Sequence, residues 1–281
     1  MEVLPVAVAV RSADTAAVRW RPVVWALVIS AVVVQIVYPL MPETWRTPVT
    51  VCSVAIFFLA SLADVGRVHG PRGALTLAAV AGGGGLIAEA IGVSTGFPFG
   101  AYTYTGTLGP EVLGVPAIVP MAWVMMAWPA LVVGRTLARR GPAVVAVAAY
   151  ALTAWDVFLD PQMVAAGHWR WFDATHTLPL IPGIPLTNYA GWLLVSIVMM
   201  LVLHALLPSR AESTYSGPAA ALYLWVYFSS VLAHAVFFGL PGSAITGGLL
   251  MGVVALPFAA RVFGHVRPCP RRPIDGKEPR R

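Results

Sequence analysis

Apolar residues gather into eight runs along the chain, roughly 22–40, 48–65, 74–92, 117–134, 142–160, 190–207, 218–238 and 242–263. Each approaches the ~20 residues that a helix needs to cross the hydrocarbon core of a bilayer. The connections MPETWRTP, GRVHGPRG, RRGP and LPSRAESTYSGP are short and rich in Gly, Pro and polar groups, as turns between helices are. Only Gly239 to Gly242 separate the last two runs, which reads as a tight hairpin. The pattern therefore predicts an all-α fold, a polytopic integral membrane helical bundle of about eight transmembrane helices. Two connections are long, 93–116 and 161–189, and both mix aromatics with Gly and Pro. Loops of that length in a compact domain are more often functional than incidental.

The basic residues orient the bundle. With the N-terminus inside, sixteen of the eighteen Lys and Arg residues fall in cytosolic segments, and only Arg46 and Arg170 fall outside. That bias predicts an even number of spans with both termini cytosolic and the two long loops on the outer side. The expected organisation is a cytosolic leader at 1–21, a single transmembrane domain at 22–263, and a basic cytosolic tail at 264–281. The leader's apolar stretch precedes its arginines, the reverse of a signal peptide.

Composition fits this picture, with 58% hydrophobic residues and 11% charged, against roughly 25% charged in an average soluble domain. The net charge of +6 comes from isolated basic residues and the tail, so it suits a membrane surface and argues against nucleic acid. Cys52 and Cys269 form neither a CxxC nor a Cys/His cluster, and the chain lacks HExxH and DDxxD. Neither a metal nor a cofactor is expected.

Candidate chemistry centres on the stretch AAYALTAWDVFLDP, residues 148–161. It places Asp156 and Asp160 on one helical face, ~6 Å apart along the axis. Glu89 in the third run lies at a depth close to that of Asp156 in the fifth, about 21–23 Å from the cytosolic end of each helix. A charge in the bilayer costs at least ~2.5–3.5 kcal/mol, and such residues mark functional sites by default. Neither helix carries a Lys or Arg near that level, which points to a carboxylic acid kept protonated by desolvation. Thr95, Tyr102, Tyr104, Trp123, Trp155, His168, Trp169, Trp171, His176 and Asn188 surround the three carboxylates in the sequence pattern. Other polar groups have structural readings. Asp64 pairs with Arg67 or reaches water, His204 and His234 are interior histidines, and Gly82 to Gly85 provide close packing or a kink beneath Glu89.

Several of these residues fall in blocks that carry a family resemblance. The blocks are EAIGVSTGFPFGAYTY from Glu89 to Tyr104, Pro120 with Trp123, WDVFLDPQM from Trp155 to Met163, the HWRW of the second loop, and PLTNYAGW from Pro185 to Trp192. Together, in this order, the chain resembles the membrane-bound carotenoid hydratases of the carotenoid biosynthesis protein family, of the bisanhydrobacterioruberin hydratase and gamma-carotene or lycopene 1,2-hydratase type. The resemblance implies a hydro-lyase of the cell membrane that acts on a carotenoid and water among membrane lipids, in association with other enzymes of the same pathway. It implies protonation of a terminal alkene to a tertiary carbocation, which water captures as a tertiary alcohol.

On that reading Asp156 or Asp160 is the general acid, and spacing does not choose between them. Glu89 orients the acid or the water. Asn188 and Tyr104 hold the water, and Tyr102, Trp123, Trp155, Trp169 and Trp171 line a dry aromatic pocket. Two other classes fit intramembrane carboxylates, a proton-coupled transporter and a non-catalytic carotenoid-binding subunit. The absence of a visible inverted repeat and the clustering of all three carboxylates in one region count against a carrier.

Overall fold

The computed structural model describes residues 6–210 and 216–264, with side chains from residue 20 onward. Most of the expected leader and all but the first residue of the expected basic tail therefore lie outside the side chains described. Among the described residues eight α-helices make the bundle: α1 (Val6–Val37), α2 (Glu43–Leu77), α3 (Gly84–Thr95), α4 (Ile118–Leu137), α5 (Gly141–Ala165), α6 (Leu186–Leu206), α7 (Gly217–Val236) and α8 (Pro241–Gly264). A π-helical turn, Ala78–Gly83, joins α2 to α3.

Seven stretches among the described residues are long and apolar enough to cross a membrane, which makes this a polytopic helical bundle. The difference from eight lies in one stretch of 53 residues, Glu43–Thr95. At 1.5 Å per residue a straight helix of that length would measure roughly 80 Å, far more than the ~30 Å hydrocarbon core. It does not run straight. Gly70 takes φ 76°, a left-handed conformation open to glycine, and Pro71 follows it. Across this bend a β-carbon on Gly66 would come within 3.7 Å of Ala74. Residues eight apart in a continuous helix stand ~12 Å apart, so the chain doubles back within GRVHGPRG, where the sequence pattern places a connection.

Helix α4 is the centre of the bundle. Its most apolar window is 83% buried, against 22% for that of α1 and 39% for that of α6. Small residues let α5 approach it closely. A β-carbon on Gly134 would stand 2.5 Å from the Val144 carbonyl oxygen and 2.8 Å from Ala148 Cβ, the tight crossing that membrane helices favour.

The second long loop is shorter than 161–189. Helix α5 continues through Pro161 to Ala165, and α6 already begins at Leu186. A proline removes one backbone donor but does not by itself end a helix that neighbours support. As a result Asn188 sits in the first turn of α6 instead of in a loop, fixed in orientation by a rigid element.

The loops also hold short strands. β1 (Tyr102–Tyr104) from the first loop pairs antiparallel with β4 (Trp169–Trp171) from the second, with Tyr102 opposite Trp171 and Tyr104 opposite Trp169. Two smaller hairpins, β2 (Glu111–Val112) with β3 (Val115–Pro116) and β5 (Thr177–Leu178) with β6 (Ile181–Pro185), complete the cap. Strand residues alternate between faces. Tyr102, Tyr104, Trp169 and Trp171 therefore share one face of the ribbon and turn inward, while Thr103 and Arg170 take the other.

Candidate active site

Beneath the ribbon lies a cavity of about 80 Å³, with Glu89, Asp160, Asn188, Tyr102, Trp123 and Trp192 among its walls. Tyr104, Trp169 and Trp171 line it as well. Helix α3 contributes Glu89, α4 contributes Trp123, α5 contributes Asp160, and α6 contributes Asn188 and Trp192. Both long loops close it through β1 and β4.

Glu89 is buried and receives three donors. Tyr102 Oη donates to Oε2 at 2.5 Å, Tyr104 Oη to the same oxygen at 2.9 Å, and Trp123 Nε1 to Oε1 at 3.1 Å. All three are neutral, and no cation pairs with it among the described residues. Burial, followed by the charge of Glu89, pushes both phenols well above their ordinary value, so they remain O–H donors at neutral pH. A missing side chain makes room for this arrangement. A β-carbon on Gly92, one helical turn past Glu89, would stand 2.7 Å from the Phe99 ring and 2.9 Å from the Tyr102 hydroxyl. Gly92→Ala is expected to destabilise the protein by roughly 1–3 kcal/mol through overpacking, read as a lower thermal midpoint of the purified protein.

The aspartates differ in their relation to the cavity. Asp160 lines it and accepts from Trp169 Nε1 at 3.0 Å and from Asn188 Nδ2 at 2.5 Å. Asp156 is fully buried behind it. Asn188 Nδ2 donates to Asp156 Oδ2 at 2.9 Å, and Oδ1 has no hydrogen-bond partner. One amide thus ties the two carboxyl groups together, with Asp160 at the surface of the cavity and Asp156 one helical turn deeper in α5.

The remaining candidates divide between the cavity and its surroundings. Trp155 packs edge-on against Trp192 at 6.0 Å and lines a neighbouring groove, not this cavity. His168 is buried, and its Nδ1 meets Thr107 Oγ1 at 2.7 Å. Burial holds its pKa below the usual imidazole value, so it is neutral near pH 7 and braces the cap. His176 and Thr95 lie outside the cavity wall; the Thr95 hydroxyl bonds the Ile91 carbonyl oxygen at 2.7 Å.

Sequence reasoning missed Trp192 as a wall of the site. Its ring stacks on Trp123 with centroids 3.9 Å apart and planes 12° apart, giving the cavity a double aromatic floor. The signal was available, because Trp192 follows Asn188 by four residues and so shares its helical face. The glycine run behaves as the pattern suggests. Within the π-helical turn and the start of α3, a β-carbon on Gly85 would stand 2.6 Å from Trp123 Cγ. Asp64 takes the first of the two arrangements expected of it: it pairs with Arg67 at 3.0 Å and is fully buried.

Residues 47–255 match the family described as "Carotenoid biosynthesis protein", about three quarters of the chain. The chain belongs to the carotenoid biosynthesis protein family. Over 120 residues it is 35% identical to bisanhydrobacterioruberin hydratase of Haloarcula japonica, a match that takes in 41% of this chain and 39% of that protein. The chain thus spans less than half the length of this curated relative in the match. No solved structure matches it at a significant level. For this member of the carotenoid biosynthesis protein family, the cavity is where the sequence blocks come together in space: each block contributes at least one wall residue.

Proposed function

We propose that this member of the carotenoid biosynthesis protein family is a carotenoid hydratase of the cell membrane, adding water across the terminal double bond of an acyclic end group. The observation that carries the reading is a carboxyl group at the wall of a small aromatic cavity inside a membrane bundle, with a second carboxylate, Glu89, also in the wall. The hydratase name of the Haloarcula relative supports it.

Asp160 is the proposed general acid. Its proton passes to the less substituted alkene carbon, and the tertiary carbon becomes cationic. The faces of Trp123 and Trp192 and the carboxylate of Glu89 stabilise that charge. Water adds to the cation, and the proton that it loses restores the acid, so the sum is alkene plus water to tertiary alcohol. The proton needs no outside source, and the chain's own residues suffice for each transfer. Asp156 acts behind Asp160, through the Asn188 amide that both share.

Expression in cells that accumulate an acyclic carotenoid tests this reading. Product mass should rise by one water per hydrated end group. Pigment of unchanged mass would leave a binding or transport role instead. Trp169→Phe probes the acid more finely, because it removes the indole N–H that meets Asp160 at 3.0 Å. A hydrogen bond to a charged group is worth about 1.5–3 kcal/mol, so hydration per folded protein should fall by roughly ten- to a hundredfold. Its pH profile should move as well, which a purely structural change would not produce.

A further inference from the structure

Beside the acid cavity lies a larger groove of about 460 Å³. It runs between α1, α2, α5 and α7, and its lining includes Ile36, Ser53, Trp155, Ser229 and Ala233. Thr50, Val54, Met125, Leu159 and Met163 line both spaces, so the groove begins where the cavity ends. At its far side Leu40, Phe228, Leu232 and Phe237 are 47–65% exposed, the apolar surface that a membrane helix turns to lipid.

The groove wall suits a hydrocarbon. Several of its polar atoms are spent within the protein: Gln35 Oε1 accepts from Trp225 Nε1 at 2.7 Å, and Thr50 Oγ1 donates to the Arg46 carbonyl at 2.9 Å. The Ser229 hydroxyl points back to the Val226 carbonyl at 3.5 Å. The acid cavity, in contrast, is too small for a long molecule. A cavity of roughly 150 Å³ holds one benzene ring, and this one measures about 80 Å³. It encloses an end group at most, with the flexible thioethers of Met125 and Met163 yielding to admit it.

We propose that the groove between α1, α2, α5 and α7 holds the polyene body of the substrate while one end group passes Val54, Met125, Leu159 and Met163 into the acid cavity. This rests on the hydratase reading for the chemistry of the end group. One consequence is that a single end is processed at each visit. A product hydrated at both ends must leave the groove and return in the opposite orientation.

The test uses the full chain purified from cells that accumulate an acyclic carotenoid, with bound pigment read from its visible absorption per protein. Ala233→Trp and Ser229→Trp fill the groove away from the carboxylates, and Ala233→Val fills it less. Leu249→Trp, 71% exposed on α8, controls for the added ring. Both groove variants should lose about tenfold or more of the bound pigment and of the hydrated product through steric exclusion. Ala233→Val should fall between them and wild type, and Leu249→Trp should match wild type. A five-carbon trisubstituted alkene, no larger than the end group itself and so not reaching the groove, should still be hydrated by Ala233→Trp within about twofold of wild type.

Wild-type pigment content and conversion in Ala233→Trp, Ser229→Trp and Ala233→Val would overturn the proposal and show that the groove holds only lipid acyl chains. A wild-type protein that hydrates neither substrate, yet loses its pigment in the groove variants, would sink the hydratase reading and leave the groove assignment standing.

Discussion

Asp160→Asn is expected to lower carotenoid hydration by about 10²- to 10⁴-fold, the usual worth of a positioned general acid, with little loss of folded protein. The amide keeps the size of the side chain and still accepts from Trp169 Nε1, but it has no proton to deliver to an alkene. Asp156→Asn should cost less. That side chain does not line the cavity, and on the proposed mechanism it acts only through Asn188 and Asp160. The measurement is hydrated product per folded protein in membranes supplied with an acyclic carotenoid. The reverse ranking, an inactive Asp156→Asn beside an active Asp160→Asn, would exchange the two roles. Equal wild-type activity in both would remove the pair from the chemistry altogether.

The sequence pattern held enough to bring Glu89, Asp156 and Asp160 into one group, because periodicity and depth are geometric properties of a helix in a bilayer, whereas Asn188 joined them only as a polar residue of the second long loop. It did not rank Asp156 against Asp160. Spacing by four places both on one face, and only the approach of α6 decides which of them meets open space. The ribbon of β1 and β4 was legible but not read: YTY and WRW alternate aromatic with polar or charged residues, the period of a strand. Three residues are too short a run to separate that alternation from the aromatics of an interfacial belt. The boundary at Pro161 failed for another reason. Proline and polar neighbours mark a turn in water, but here Pro161 is buried and Met163 packs against Leu108, Ile118 and Trp169, and α5 runs on to Ala165. The bend at Gly70 shows the opposite case, where glycine followed by proline means the same thing in either medium.

Asp64 gives the largest expected effect on stability, and it shows what distinguishes a structural carboxylate from the three in the cavity. It is fully buried in α2, ten residues beyond Val54 and so ~15 Å along the helix from the cavity wall. Arg67 Nη2 meets it at 3.0 Å, Trp128 Nε1 donates to it at 2.7 Å, and the Ser216 hydroxyl donates to it as well. The cation and the two neutral donors together tie α2 to α4 and to the start of α7. Removing one partner of a buried ion pair costs about 3–5 kcal/mol, because the other charge is left behind. Asp64→Ala should therefore lower the thermal midpoint sharply and reduce the yield of folded protein, and Asp64→Asn should do so by less. Hydration per folded molecule should hardly change in either. A loss of turnover in proportion to Asp160→Asn, in protein that remains folded, would instead place Asp64 in the proton path. The contrast rests on partners. Among the described residues Asp64 has an arginine beside it, whereas Glu89, Asp156 and Asp160 have neutral donors alone. On the proposed hydration, an acid that must release a proton to a hydrocarbon and recover it from water is served by neutral donors, because a fixed cation would hold it ionised.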